Sequence, residues 1–142
     1  DRMLFSSMMY PADYGFIPET LALDGDPLDV LVLVTEPTFP GCVMEVKPIG
    51  VFHMADDKGP DEKVICVPVS DPIWNKLNDL SDMNPHLLKE IEHFFQVYKD
   101  LENKQVDVEG WGNVDEAREI VAKCSNRFQD IENRPEGLFS IK

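Results

Sequence analysis

The apolar residues of this chain change their spacing part-way along the sequence, and this change limits the folds open to it. In the first half, apolar runs of strand length lie at residues 4–10, 30–34, 43–54 and 64–69, separated by turn signals rich in proline, glycine and aspartate. In the last third, apolar residues recur at helical spacing. Several short strands of this kind are typical of a small barrel or sandwich. We therefore predict one domain, mainly β, that ends in helices.

Two helices are predicted in the last third of the chain. The first begins after Asn84, a residue type that favours the N-cap, has Pro85 at its first position and runs to about Leu101. The second covers about residues 114–128, where Asp115 and Glu116 suit the dipole at its start. Each helix carries one apolar stripe, as expected of a helix that packs against a core.

Charge and cysteine content limit the ligands and the compartment. A formal net charge of −14 repels nucleic acid and anionic membranes, so an anionic substrate needs a local basic pocket or bound cations. No apolar run approaches the roughly 20 residues that span a bilayer, and the first residues lack the apolar region of a signal peptide. Cys42, Cys66 and Cys124 lack the spacing of a zinc site. We predict a soluble protein of the reducing cytosol without disulfides, nucleic-acid partner or membrane contact.

The segment DGDPLD, residues 24–29, places three carboxylates in six positions. Gly25 and Pro27 favour a bend that can bring Asp24, Asp26 and Asp29 together. Two unit charges about 6 Å apart repel by roughly 3 kcal/mol at an effective dielectric of 20, so their convergence requires cations. Carboxylate oxygens select hard ions such as Mg²⁺, Mn²⁺ or Ca²⁺.

Three other interpretations of DGDPLD compete with a metal site formed by Asp24, Asp26 and Asp29. A solvated acidic turn explains the isolated motif equally well. An EF-hand loop that begins at Asp24 needs Asp or Asn at its fifth position, Gly at its sixth and Glu at its twelfth, but Leu28, Asp29 and Thr35 stand there, which excludes it. A phosphatase of the haloacid dehalogenase class would have a buried strand before the motif. Here the apolar run follows it, so that class matches poorly but stays open.

More charged residues follow in the loop ADDKGPDEK, residues 55–63, between two strands. A hairpin there can bring further carboxylates and Lys63 close to the aspartates of residues 24–29. The loop alone is also typical of a charged hairpin tip. In the first predicted helix, Tyr98 lies on the apolar stripe and Lys99 at its edge. A phenol and an ammonium can therefore emerge side by side, whereas Tyr98 taken singly is more typical of a core residue.

Four segments together resemble the soluble inorganic pyrophosphatases of family I. They are YPADYGFIP at 10–18, DGDPLDV at 24–30, a D-x(4)-D-x-K loop at 56–63 and FFQVYKD at 94–100, in the order of that family. The resemblance extends from residue 1 to about residue 128. It implies a five-stranded OB-like β-barrel flanked by two C-terminal helices. It also implies hydrolysis of pyrophosphate to two orthophosphates with several Mg²⁺ ions per site, for which Mn²⁺ can substitute.

The resemblance also assigns roles to ten residues. It implies Mg²⁺ ligands at Asp24, Asp26, Asp29, Asp56 and Asp61. It implies phosphate contacts from Arg2, Tyr14, Lys63, Tyr98 and Lys99. Asp26 would act as general base for direct in-line attack of a metal-activated water, with no covalent phosphoenzyme. Family members are cytoplasmic homo-oligomers, usually hexamers in bacteria, and we expect the same of this chain.

One departure from the family concerns the start of the chain. Members normally carry barrel strands, a lysine and glutamates before the position of Arg2. We therefore expect residues 1–142 to form a single inorganic pyrophosphatase domain that is N-terminally incomplete, with a barrel that cannot close because strand edges lack partners. Two functional hypotheses follow. The chain is a Mg²⁺-dependent inorganic pyrophosphatase, or it is a catalytically poor fragment or metal-binding module that keeps the acidic cluster.

Overall fold

The computed structural model describes residues 12–101 and 107–132, with the backbone alone for residues 98–101. In these ranges the strands are β1 (Asp13–Ile17), β2 (Leu28–Val32), β3 (Val46–Asp56), β4 (Gly59–Pro60), β5 (Lys63–Pro68) and β6 (Asp107–Gly112). Helix α1 (Pro85–Leu101) lies between β5 and β6 in the sequence, after a 3₁₀ turn at Leu80–Asp82, and α2 (Val114–Glu132) follows β6. The predicted strand at residues 4–10 lies outside the described residues.

The strands form one mixed sheet in the order β1-β2-β5-β3, in which β3 also pairs with β6 and, at its end, with the two-residue β4. Strands β2 and β5 run parallel, and the other pairs are antiparallel. The predicted mainly β fold with two C-terminal helices is confirmed, and five of the strands have five or more residues. Within the described ranges no pairing joins β1 to β6, so the sheet is open there.

Local signals place the two helix starts where they were predicted. The Asn84 side chain accepts a hydrogen bond from the backbone N–H of His86 at 2.9 Å, and Pro85 opens α1. At the start of α2, Asn113 and Glu116 each accept a hydrogen bond from the other's backbone N–H, at 3.0 and 2.8 Å. This reciprocal pair is a capping box. Helix α2 continues to Glu132, past the predicted end near residue 128.

Side-chain alternation along the strands divides the apolar residues between two cores. On one face Leu31, Phe52 and Ile65 pack with Ile91 and Phe95 of α1. On the other face a second cluster joins the sheet to α2. Because successive side chains of β5 point to opposite faces, Lys63 lies on the α1 face with Ile65. Lys63 therefore lies at the edge of the core that packs against α1, and it gives that edge its charge.

Candidate active site

A buried lysine at the start of β5 holds two carboxylates. Lys63 is only 5 % exposed, and its Nζ donates hydrogen bonds to Asp29 Oδ2 at 2.5 Å and to Asp61 Oδ1 at 2.7 Å. Asp29 of β2 is the register partner of Lys63 in the parallel pair. The backbone N–H of Asp61 donates to the Met54 carbonyl at 2.8 Å, which holds the end of the β4–β5 connection against β3. Two strands and one connection thus bring both carboxylates to a single ammonium.

Two aromatic rings of the described residues lie close to this ammonium. The centroid of the Tyr14 ring lies 5.5 Å from Lys63 Nζ and that of Phe95 lies 6.0 Å away, both within the range of a cation–π contact. Tyr14 is 39 % exposed, whereas Phe95 is buried in the first core. We name Tyr14, Asp29, Asp61, Lys63 and Phe95 the Lys63 cluster. It is closed by the core on the Phe95 side and reaches solvent at Tyr14.

The charge state of Lys63 follows from its neighbours. Burial alone would lower its pKa, but the charges of Asp61 and Asp29 and the hydrogen bonds to both raise the pKa above its usual value. Lys63 is therefore a fixed cation throughout the neutral pH range, and its positive charge partly compensates the two carboxylates.

Asp24 and Asp26 lie in a tight turn of the connection between β1 and β2. The backbone N–H of Asp26 donates to Asp24 Oδ1 at 3.0 Å, and the Asp26 carbonyl accepts from Ala22 N–H at 2.8 Å. Gly25 has φ of 89°, a left-handed conformation that side chains other than glycine rarely adopt. The turn presents the Asp26 side chain on the surface, while Asp24 is half-buried. We name residues 18–27 the acidic loop.

A buried threonine joins the two ends of the acidic loop. Thr20 is 4 % exposed; its hydroxyl donates to the Ile17 carbonyl at 2.5 Å and accepts from the Leu28 N–H at 3.0 Å. The last residue of β1 and the first residue of β2 are therefore bridged by one side chain. Asp29 follows directly, so the same contact helps to set the position of Asp29 next to Lys63.

Four of the ten predicted site residues meet in the Lys63 cluster: Tyr14, Asp29, Asp61 and Lys63. Asp24 and Asp26 share the turn of the acidic loop, and Asp56 lies at the β3–β4 turn, where its Oδ1 accepts from Lys58 N–H at 2.9 Å. Arg2 lies outside the described residues. Tyr98 and Lys99 belong to α1, but their side chains also lie outside the described part.

The donor set suits a hard divalent cation, because every predicted ligand is a carboxylate and Asp29 already lies close to Asp61. The geometry of the described ligands fits a metal ion less completely than their chemistry does. Among the described residues, no group of three or more histidine, cysteine, aspartate or glutamate side chains is arranged to hold a metal ion. The chemistry of the residues fits Mg²⁺, while the structure gathers only Asp29 and Asp61 at one point.

Comparisons with known proteins show the family of this chain. The sequence profile described as Inorganic pyrophosphatase matches residues 1–129. The chain belongs to the inorganic pyrophosphatase family. It is 56 % identical over 130 residues to the inorganic pyrophosphatase of Methanosarcina mazei, covering 92 % of this chain and 77 % of that one. It is 59 % identical over 128 residues to that of Methanosarcina acetivorans, covering 90 % and 76 %.

Solved structures of inorganic pyrophosphatases share the fold. The enzyme from Thermus thermophilus superposes with a TM-score of 0.87 at 46 % identity, over 91 % of this chain and 76 % of that one. The enzyme from Helicobacter pylori gives 0.85 at 41 % identity, over 91 % and 78 %. The OB-like fold and the resemblance to the soluble family I enzymes are thus confirmed. The enzyme class is confirmed as well, since this is a family of inorganic diphosphatases.

Some contacts around the pyrophosphatase site carried no signal in the sequence. Phe95 belongs to the apolar stripe of the first predicted helix and to the FFQVYKD segment, but neither pattern indicates that it faces Lys63. Thr20 follows a proline and a glutamate in a polar stretch, where a buried hydroxyl is not expected. On the opposite, α2 side of the sheet, Glu62 pairs with His53, Nδ1 to Oε2 at 3.0 Å, a contact that no sequence motif indicates.

A cleft of about 290 Å³ lies on the α2 side of the sheet rather than at the Lys63 cluster. Its lining includes Ala22 and Leu23 of the acidic loop, His53 and Glu62, and Cys124 and Arg127 of α2. The cleft therefore lies between α2 and the acidic loop, which carries Asp24 and Asp26. None of the helices in residues 12–101 and 107–132 has both the length and the apolar character needed to cross a bilayer.

Proposed function

We propose that this chain hydrolyses inorganic pyrophosphate to two orthophosphates in a Mg²⁺-dependent reaction. Water attacks phosphorus directly and in line, and no covalent phosphoenzyme forms. The observation that supports this most is the convergence of Asp29 and Asp61 on buried Lys63 in a member of the inorganic pyrophosphatase family. Such a cluster combines proposed anionic metal ligands with a fixed cation.

Substrate binding must overcome the negative charge of the whole chain. Pyrophosphate carries up to four negative charges and the protein carries −14, so attraction has to be local. In this proposal Lys63 supplies one fixed charge and Tyr14 contacts phosphate from the solvent side. Arg2, Tyr98 and Lys99 supply the remaining contacts, with Arg2 able to bind two phosphate oxygens at once while the lysines act as point charges.

The carboxylates are the proposed Mg²⁺ ligands: Asp24, Asp26, Asp29, Asp56 and Asp61. When bound, Mg²⁺ ions neutralise phosphate oxygens and make a water easier to deprotonate. The carboxylate oxygens are hard donors, so they also bind Mn²⁺ in place of Mg²⁺. Lys63 holds Asp29 and Asp61 close together, so that part of the ligand set is arranged in advance.

Asp26 is the proposed general base. Its carboxylate is exposed, and its backbone is fixed through both its N–H and its carbonyl in the turn of the acidic loop. A carboxylate held in this way can accept the proton of an attacking water, since general base catalysis depends first on position. The proton is released to solvent after the phosphate products leave.

The Asp26→Asn variant tests the base. We expect kcat for phosphate release to fall by about 10²–10⁴-fold, because an amide cannot accept the proton of the attacking water. Asp57→Asn is the matched control, since Asp57 is an exposed aspartate outside the proposed ligand set. Phosphate release from pyrophosphate is measured with Mg²⁺ and with excess chelator. Turnover of Asp26→Asn near that of the control would refute the base.

Metal binding and phosphate release, both measured on the wild-type protein, separate an enzyme from a metal-binding module. Wild-type protein that binds Mg²⁺ in a calorimetric titration but releases no phosphate would favour the module. Phosphate release that stops on chelation supports the enzyme.

We further propose a cytoplasmic homo-oligomer, a hexamer if the source is bacterial. The support is the family I resemblance. Light scattering on the eluting protein measures its mass, and a monomeric mass across the micromolar range would contradict the oligomer.

A further inference from the structure

Helix α2 lies on the far side of the sheet from the Lys63 cluster, yet it is bonded to the acidic loop. The backbone N–H of Leu21 donates to the Cys124 carbonyl at 3.0 Å. The Leu21 carbonyl accepts a hydrogen bond from Arg127 Nη1 at 2.5 Å. Both backbone polar groups of one loop residue are therefore bonded to the same turn of α2.

These contacts bear directly on the turn that carries the proposed base. Ala22 follows Leu21, donates to the Asp26 carbonyl at 2.8 Å and accepts from Gly25 N–H at 3.1 Å. The turn closes on Ala22, so the position of Leu21 bears on the placement of Asp24 and Asp26. Thr20 holds the adjacent backbone from the strand side. The acidic loop is thus fastened to the sheet by Thr20 and to α2 at Leu21.

We propose that Arg127 is a positioning residue for hydrolysis, which holds the acidic loop so that Asp24 and Asp26 are placed to receive metal. This inference rests on the proposed function of those two aspartates. The guanidinium is suited to the task because it makes a charge-assisted hydrogen bond to the Leu21 carbonyl and also lies 3.8 Å from Cys124 Sγ. A half-buried arginine between helix and loop loses little freedom when it makes this bond.

The test compares Arg127→Met with Arg118→Met, which removes the same charge from an exposed position of α2. Hydrogen exchange of the peptide that covers residues 18–28 is measured without metal, and Mn²⁺ affinity is measured by electron paramagnetic resonance. For Arg127→Met we expect faster exchange in this peptide, with exchange in β3 and β5 unchanged. Mn²⁺ affinity should fall by about 10-fold or more, as is typical when a residue that supports a metal ligand is lost.

Kinetics add a readout that a merely structural role would not move. The Mg²⁺ concentration for half-maximal activity should rise in Arg127→Met while kcat at saturating Mg²⁺ falls much less. Arg127→Lys retains one charged donor and should recover part of the loss. Unchanged loop exchange, or faster exchange with wild-type Mn²⁺ affinity, would overturn the inference.

Two further outcomes are separable. If Arg127→Met does not fold, Arg127→Gln, which preserves more of the side chain, is assessed by the same exchange and Mn²⁺ criteria. If wild-type protein binds Mn²⁺ but releases no phosphate, the proposed function fails, while exchange and metal affinity still decide the role of Arg127.

Discussion

Lys63 shows how one residue can make a cluster of acids tolerable in a folded protein. Its side chain is 6 % exposed, those of its partners Asp29 and Asp61 are 21 % and 10 % exposed, and all three lose water on folding. The ion pairs between the cation and both anions compensate part of this loss. Because the folded pKa of Lys63 is raised, its contribution to stability is complete below the unfolded pKa and disappears only as pH rises through the higher folded value.

Replacement of this cation should therefore destabilise the protein at neutral pH. We expect Lys63→Met to lower the free energy of unfolding by about 3–5 kcal/mol, because it removes the cation that both carboxylates contact. Urea denaturation at pH 7 measures the loss. Lys58→Met, at an exposed lysine of the neighbouring turn, is the control.

A double-mutant cycle gives the same idea a second test. Adding Asp29→Asn to Lys63→Met removes one of the two carboxylate charges that Lys63 contacts, so the double variant should lose less stability than the sum of the two single variants. Strict additivity would show that the observed contact contributes little to stability.

At the scale of the elements, the start of α2 has a second cap, from a distant aspartate, in addition to its own capping box. Asp79 Oδ1 accepts the backbone N–H of Val114 at 2.9 Å, and Ser81 donates to Asp79 Oδ2 at the same distance. The hydrogen bond from Val114, followed by that from Ser81, lowers the pKa of Asp79. A lowered pKa contributes stability that is present above the unfolded value and is lost as pH falls through the folded value.

The Asp79→Asn variant isolates this cap. Wild type should be more stable than the variant at pH 6, and the difference should shrink as pH falls below the ordinary carboxyl value of about 4. Thermal midpoints from pH 6 down to pH 2.5 measure the difference. Ser81→Ala removes one of the hydrogen bonds that lower the pKa of Asp79. The stability difference should therefore disappear over a narrower pH range. A difference independent of pH would contradict the assignment.

At the scale of the whole molecule, the sheet separates the Lys63 cluster from a second core that closes on α2. Cys66 and Cys124 lie in this second core, whereas Cys42 is exposed, and all three are free. Burial raises the pKa of Cys66 to about 12 and also raises that of Cys124.

Thiol reactivity should therefore report global unfolding. In native protein at pH 8 we expect one fast-reacting thiol, Cys42, because reagents attack exposed thiolates and the other two are neither exposed nor ionised. The remaining two should react in urea with the midpoint seen by circular dichroism. Cys42→Ser is the control, which should abolish the fast phase. Rapid reaction of a second thiol in native buffer would show that α2 separates from the sheet on its own.

Local chemistry determined much of this protein from the sequence alone. Asn84 and Pro85 mark the start of α1 because capping depends on neighbours within a turn. Gly25 predicts a bend in the acidic loop because only glycine readily takes that backbone conformation. Family motifs added the class of enzyme and the roles expected of its aspartates and lysines.

Only the tertiary structure decided which of these residues meet. Strand β6 contains two glycines in DVEGWG, and it forms through its pairing with β3, which no local pattern predicts. Asp29 and Lys63 are 34 positions apart and Arg127 and Leu21 are 106 apart. Each pair is joined by strand register or helix packing, whose free energy is shared among many distant contacts. Composition and spacing specify the groups available for chemistry, whereas only the folded chain sets the distances between them.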